Sequence, residues 1–122
     1  MRIAFITFGI LLLFWGLASV IFAVQDVGTG VSARPRQEIA YAAAFLVSGG
    51  VLTAAGTRRY ALNRMLVLGA ALLHAAIYSG GAALERLHQA APAGPAVAVS
   101  SVLFIGTMVS FQRAHRAHTT PG

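Results

Sequence analysis

The sequence has no cysteine and no lysine, and it holds few charged residues of any kind. Without cysteine, disulfides, thiolate metal sites, cysteine nucleophiles and thiol redox chemistry are excluded. Charged residues make up 10% of the 122 residues and apolar residues 57%, against about 25% and about 45–50% in soluble domains. A soluble protein of this length needs more polar surface to cover its core. The composition therefore indicates a membrane protein, with residues 1–122 forming one domain.

The apolar residues are concentrated in four segments separated by short polar connections. Each is close to the ~20 residues with which a helix crosses a ~30 Å hydrocarbon core. Lipid offers no partner for unpaired backbone groups, so helices are predicted for all of them. Short connections between neighbours predict an all-α, up-down-up-down bundle of four transmembrane helices, followed by a basic tail at 113–122. The predicted spans are 3–24, 39–56, 65–84 and 93–111.

The arginines are distributed unequally between the two predicted membrane faces. One face has six arginines and no acid, which accounts for the formal net charge of +6: Arg2, Arg58, Arg59, Arg64, Arg113 and Arg116. The other face has three residues of each sign: Arg34, Arg36 and Arg86 with Asp26, Glu38 and Glu85. The positive-inside rule then predicts that both termini are cytoplasmic. An Arg-only, Ala- and Gly-rich composition indicates a GC-rich bacterial genome, hence the bacterial inner membrane.

Three other interpretations of the chain have weaker support. Arg2 followed by an apolar run ending at Ala23 is compatible with a cleaved signal peptide, but the run is longer than the roughly 7–15 residues of a signal core. A retained first span is preferred. A weak repeat at an offset of sixty places Pro35 over Pro95, and chance explains it equally well in Ala- and Leu-rich helices. Nucleic-acid binding is disfavoured, because the arginines flank spans and do not form a patch with exposed aromatic residues.

The third helix carries a stripe of residues at helical spacing that continues past the end of its span: His74, Tyr78, Gly81, Glu85 and His88. His74 lies near the middle of the membrane, where ionisable side chains usually face the bundle interior or a cavity. A proton relay, a site for a quinone or another polar-headed lipid, and an axial haem ligand are the functional alternatives. The structural alternative is a neutral His74 bonded to Tyr78 or to a Ser or Thr of a neighbouring helix. Haem would need a second histidine at the same depth, from another subunit.

Glu38 and Tyr41 open the second span and share one face of its helix. If this face meets the third helix, they join Tyr78, Glu85 and His88 in a ligand pocket between helices 2 and 3. The alternative is an interfacial rim of charges that pair with nearby arginines and lipid head groups. No metal site is predicted, and no cofactor beyond the quinone and haem alternatives. Trp15, in the middle of the first span, is expected to pack against small residues of a neighbour.

Small residues recur at the spacing at which membrane helices pair. They form three ridges: Ala40, Ala44 and Ser48; Ala71, Ala75, Ser79 and Ala83; and Ala98, Gly106 and Ser110. The span layout, the Glu38–Tyr41 segment and the Arg58-Arg59 turn resemble small bacterial four-helix membrane proteins of the DoxX-like group. This resemblance implies the same fold and no particular site residues.

Three functions follow from these patterns. The leading hypothesis is an accessory or structural subunit, or a homo-oligomer, that acts in the lipid bilayer through helix packing. The second is binding or transfer of a quinone-like or lipid molecule between helices 2 and 3. The third is a small transporter, which would need a polar path towards the inside. No catalytic constellation is found, so an enzyme is disfavoured.

Overall fold

Four long helices contain most of the chain in the computed structural model, which describes residues 2–31, 33–57 and 64–119. Within these ranges the helices are α1 (Arg2–Gly28), α2 (Pro35–Thr57), α3 (Arg64–His88) and α4 (Gly94–Thr119). All four are long and apolar enough to cross a membrane. The all-α prediction is confirmed, and each helix coincides with one predicted span. The helices extend a few residues beyond most of the predicted span ends, into segments read as connections.

Helices α1 and α3 end in the same type of hydrogen-bonded turn. After α1, the backbone N–H of Val31 donates to the carbonyl of Asp26 at 3.0 Å, and Gly30 lies in the left-handed region with φ 72°. This is the Schellman arrangement, which favours glycine at the left-handed position. After α3 the equivalent position is Ala90, with φ 55°. The Cβ of an alanine is strained in this conformation, whereas glycine adopts it freely.

Among the described residues, the helices pack in chain order. The pairs in contact are α1 with α2, α2 with α3, and α3 with α4. The bundle is therefore open, with α1 and α4 at its two edges. Both edge helices expose many large apolar side chains, including Phe14, Phe22, Ile105 and Met108. Lipid would cover such faces in a membrane.

The contact between α1 and α2 depends on glycines. A Cβ added to Gly49 would lie 2.8 Å from the carbonyl oxygen of Gly9 and 2.9 Å from the amide nitrogen of Leu13. A Cβ on Gly56 would lie 2.6 Å from the side chain of Ile6. The two backbones therefore touch, which is the packing that small residues allow in lipid.

The predicted small-residue ridges are only partly buried. On α2, Ala44 and Ser48 are buried, and on α4 Ser110 is buried. In contrast, Ala71 on α3 and Ala98 on α4 are exposed. Parts of these ridges thus serve packing within the chain, and other parts remain on the surface.

Candidate functional site

Polar side chains of α1, α2 and α3 gather where the end of α3 meets the start of α2. The backbone N–H of Arg36 donates to the Glu85 carboxylate at 3.0 Å, and the Gln37 side chain donates to the Tyr78 hydroxyl at 2.8 Å. We call this region the polar end. It contains the following charged and amide residues: Asp26, Arg34, Arg36, Gln37, Glu38, Glu85, Arg86 and Gln89.

An open groove of about 490 Å³ lies at the polar end, and residues of α1, the connection after it, α2 and α3 line it. Three of its residues, Glu38, Tyr41 and Tyr78, were predicted site residues. The groove is not confined to the space between helices 2 and 3, because α1 forms one of its walls. The lining residues not assigned from the sequence are Ser19, Phe22, Ala23, Asp26, Ala33, Arg34 and Gln37.

Aromatic rings connect the three helices beside this groove. The Trp15 indole N–H of α1 donates to the Tyr41 hydroxyl of α2 at 3.1 Å. The Tyr41 and Tyr78 rings meet edge to face, with centroids 6.0 Å apart. Phe45 lies edge to face against Trp15 and against Tyr41. These ring contacts of Trp15 are with aromatic residues of α2, and the expectation that it packs against small residues stays a prediction.

Glu38 has an unusual environment. Its Oε2 atom is buried and has no hydrogen-bond partner among the described residues, although the residue lines the groove. A buried polar atom without a partner costs free energy. Glu38 lies in the first turn of α2, where the helix dipole favours a negative charge. The protein thus leaves an acceptor unsatisfied beside an open space.

The Glu85 carboxylate is hydrogen-bonded, unlike the Oε2 atom of Glu38. Its residue is 3% exposed, and its carboxylate accepts from the Arg36 backbone N–H at 3.0 Å and from the Gln89 side chain at 3.2 Å. The Arg36 guanidinium lies 3.8 Å away. Glu85 therefore caps the start of α2, where backbone N–H groups lack partners within the helix. It does not line the groove of Glu38, so the described contacts do not pair the two acids.

His74 contacts α2 one layer below Tyr78. Its Nδ1 lies 3.2 Å from the Ser48 hydroxyl, and its ring meets the Phe45 ring edge to face at 4.6 Å. The Ser48 hydroxyl also lies 2.7 Å from the Ala44 carbonyl; when it donates there, it accepts the hydrogen bond from a His74 imidazole protonated at Nδ1. The hydrogen-bond partner of His74 is thus Ser48 of the neighbouring helix α2, and not Tyr78.

The remaining predicted residues lie away from the groove. His88 is exposed at the end of α3. Arg113 and Arg116 are exposed near the end of α4, while Arg2 and Arg64 begin α1 and α3. The other two predicted orientation residues, Arg58 and Arg59, lie outside the described residues.

A second cavity of about 590 Å³ lies between α2, α3 and α4. Its wall is almost entirely apolar, with Arg36 at its edge and Ser100 and Ser101 on α4. It has no counterpart of the Glu38 carboxylate. The groove between α1, α2 and α3 is therefore the better candidate for a site that recognises a polar group.

Comparison with protein families, with curated proteins and with solved structures finds no match for this chain. The resemblance to DoxX-like proteins stays a prediction. The functional argument consequently rests on the residues and geometry of the groove.

Proposed function

We propose that this protein is a multi-pass membrane protein that binds a membrane-dissolved amphiphile in the groove of α1, α2 and α3. The observation that carries the proposal is the Glu38 carboxylate, which borders the groove with one oxygen buried and unpartnered. A side chain with a purely structural role normally has its buried polar atoms satisfied. A polar group bound in the groove would give the Glu38 carboxylate a partner.

The size and composition of the groove suit an amphiphile. Ligand sites usually measure about 300–1,000 Å³ and combine apolar walls with a few polar groups, and this groove measures about 490 Å³. Phe22, at its edge, is 65% exposed, so an apolar tail can pass from the groove into lipid. The polar head would then lie between Glu38 and the two tyrosines.

The orientation that we propose has both termini in the cytoplasm of a bacterium and the polar end facing outward. The unequal arginine distribution supports this orientation. The up-down-up-down order is supported by contacts in which early residues of one helix meet late residues of the next, such as Arg36 with Glu85 and Gly9 with Thr53.

We also propose that the protein associates with a second copy or with another membrane protein. The exposed apolar faces of α1 and α4 support it, but lipid tails cover such faces equally well. The groove is a more specific feature than these apolar faces. We therefore prefer amphiphile binding to the packing role that is the leading hypothesis from the sequence.

Photolabelling can test the proposed site. The purified protein in uncharged maltoside micelles would be labelled with a long-chain alcohol that carries a photoreactive diazirine, and the labelled residues mapped. Ser19→Phe fills the groove, whereas Val24→Phe adds the same ring to a face of α1 that does not line it. We expect labelling around the groove in the wild type and Val24→Phe, and a several-fold loss in Ser19→Phe. Even labelling of all lipid-exposed faces, or a Ser19→Phe variant labelled like the wild type, would contradict the proposal.

A further inference from the structure

We infer that the ligand of the groove is a lipophilic organic cation, whose quaternary or protonated ammonium group lies beside the Glu38 carboxylate. This inference rests on the proposed function, because it assigns the ligand class of the same groove. Three independent observations point to a positive charge: the environment of one carboxylate, the balance of charges in the wall, and the aromatic rings.

The first observation is that the negative charge of Glu38 is not compensated by hydrogen bonding at Oε2. This oxygen is buried and has no hydrogen-bond partner among the described residues. The residue as a whole is half-buried, and Coulomb attraction of its charge to a cation is strengthened where water is excluded. Since Glu38 lines the groove, a cation bound there would lie beside this residue.

The second observation is the charge balance of the wall. The groove is lined by the acids Asp26 and Glu38 and by one base, Arg34, which leaves one negative charge in excess. Arg36 does not change this balance, because it lies beside Glu85 and borders the cavity on the other side of α2. A cationic ligand head gains attraction from this excess negative charge, whereas a neutral head, such as a quinone carbonyl, does not.

The third observation is the aromatic wall. Tyr41 and Tyr78 both line the groove, and their rings are held edge to face at 6.0 Å. Hydrogen bonds from Trp15 and Gln37 to their hydroxyl oxygens fix both rings. A cation within about 6 Å of such a ring is attracted by its quadrupole, and quaternary ammonium groups are well suited to this contact.

A matched pair of probes separates charge from shape. Benzyltrimethylammonium and neopentylbenzene have nearly the same shape, because a quaternary carbon replaces the nitrogen, but only the first is charged. Trp15 is the single tryptophan of the chain and is bonded to Tyr41, so its fluorescence reports on the groove without a label. The titrations would be carried out in maltoside micelles, since phosphatidylcholine itself carries a competing ammonium group. Protein-free micelles correct for partitioning.

We expect the cation to bind at least about 10-fold more tightly than its neutral analogue, the equivalent of one 1.4 kcal/mol step. Glu38→Gln should remove this preference and leave the affinity for the neutral analogue unchanged. Arg36→Ala is the control and should keep the preference, because it changes a charge at the same end of the molecule but outside the groove. Circular dichroism would verify that both variants are folded.

Equal affinities for the two probes, or a preference that persists in Glu38→Gln, would overturn the inference. A quinone analogue that competes for the groove while the cation does not would also overturn it. In these cases groove photolabelling by the neutral diazirine probe would still stand, so the proposed function survives. Loss of groove labelling itself would instead remove both.

Discussion

Replacing Glu85 with alanine should lower the free energy of unfolding by about 2–4 kcal/mol. The main loss is the acceptor of the Arg36 backbone N–H at the start of α2, bonded at 3.0 Å to a carboxylate that is almost fully buried. Hydrogen bonds to charged groups contribute about 1.5–3 kcal/mol. The exposed Gln89 partner and the ion pair with the Arg36 side chain add only about 0–1 kcal/mol.

Variants of the two partners distinguish a helix cap from an ion pair. Arg36→Ala keeps the backbone N–H and removes a guanidinium that is 3.8 Å from Glu85 and whose side chain is 43% exposed. It should therefore cost only about 0–1 kcal/mol. Glu85→Gln keeps an acceptor oxygen but loses the charge, and should lie between the other two variants.

The assay is unfolding in mixed micelles, with helix content followed by far-UV circular dichroism as the fraction of sodium dodecyl sulfate rises. The expected order of destabilisation is Glu85→Ala, then Glu85→Gln, then Arg36→Ala. If Arg36→Ala proved as costly as Glu85→Ala, the ion pair and not the backbone cap would be the main contribution. A Glu85→Ala effect below about 0.5 kcal/mol, the usual range for surface substitutions, would refute the capping role altogether.

Three other substitutions have defined expectations in the same assay. Gly49→Ala should destabilise by about 1–3 kcal/mol because its Cβ meets the backbone of α1, whereas Gly50→Ala, which meets nothing within 4 Å, should be neutral or stabilising; equal effects would refute the close helix contact. Ala90→Gly should stabilise by about 1 kcal/mol, since it relieves a left-handed alanine, and a loss of stability would contradict this. Ser48→Ala should lower the free energy of unfolding by only about 0.6 kcal/mol. The NMR shifts of the His74 imidazole should differ from those of the wild type, and unchanged shifts would argue against the Ser48–His74 hydrogen bond.

The sequence was sufficient for the helices but not for how they pack. Apolar runs of the required length predict four spanning helices, and four helices long and apolar enough to cross a membrane are present. The order of packing was not predictable in the same way, because α1 is apolar around its whole circumference and offers no periodicity that marks a buried face. A usable signal was the glycine spacing: Gly9 and Gly16 on α1, and Gly49 and Gly56 on α2, are each seven residues apart and lie at the observed contact.

Only part of the candidate site is predictable from the sequence, because periodicity gives the face of a helix but not the packing around it. Helical periodicity correctly places Tyr78 and Glu85 on α3 near the start of α2, but it does not say which space each side chain enters. Tyr78 lines the groove, while Glu85 caps α2. The contribution of α1 is not predicted, because Asp26 lies beyond the predicted first span, whereas the structure places it in the last turn of α1.

The groove is a consequence of how side-chain size changes along the α1–α2 contact. At Gly9 and Gly49 the two backbones touch. Further along, the contact is made by the Trp15 indole and the Tyr41 hydroxyl, and at Asp26 the helices border open space. Because the glycine contact sets how closely α1 can approach α2, Gly49→Ala should alter the groove as well as the stability. Its affinity for benzyltrimethylammonium should then fall although no groove residue has changed, and an unaltered affinity would show that the polar end is held independently of the glycine contact.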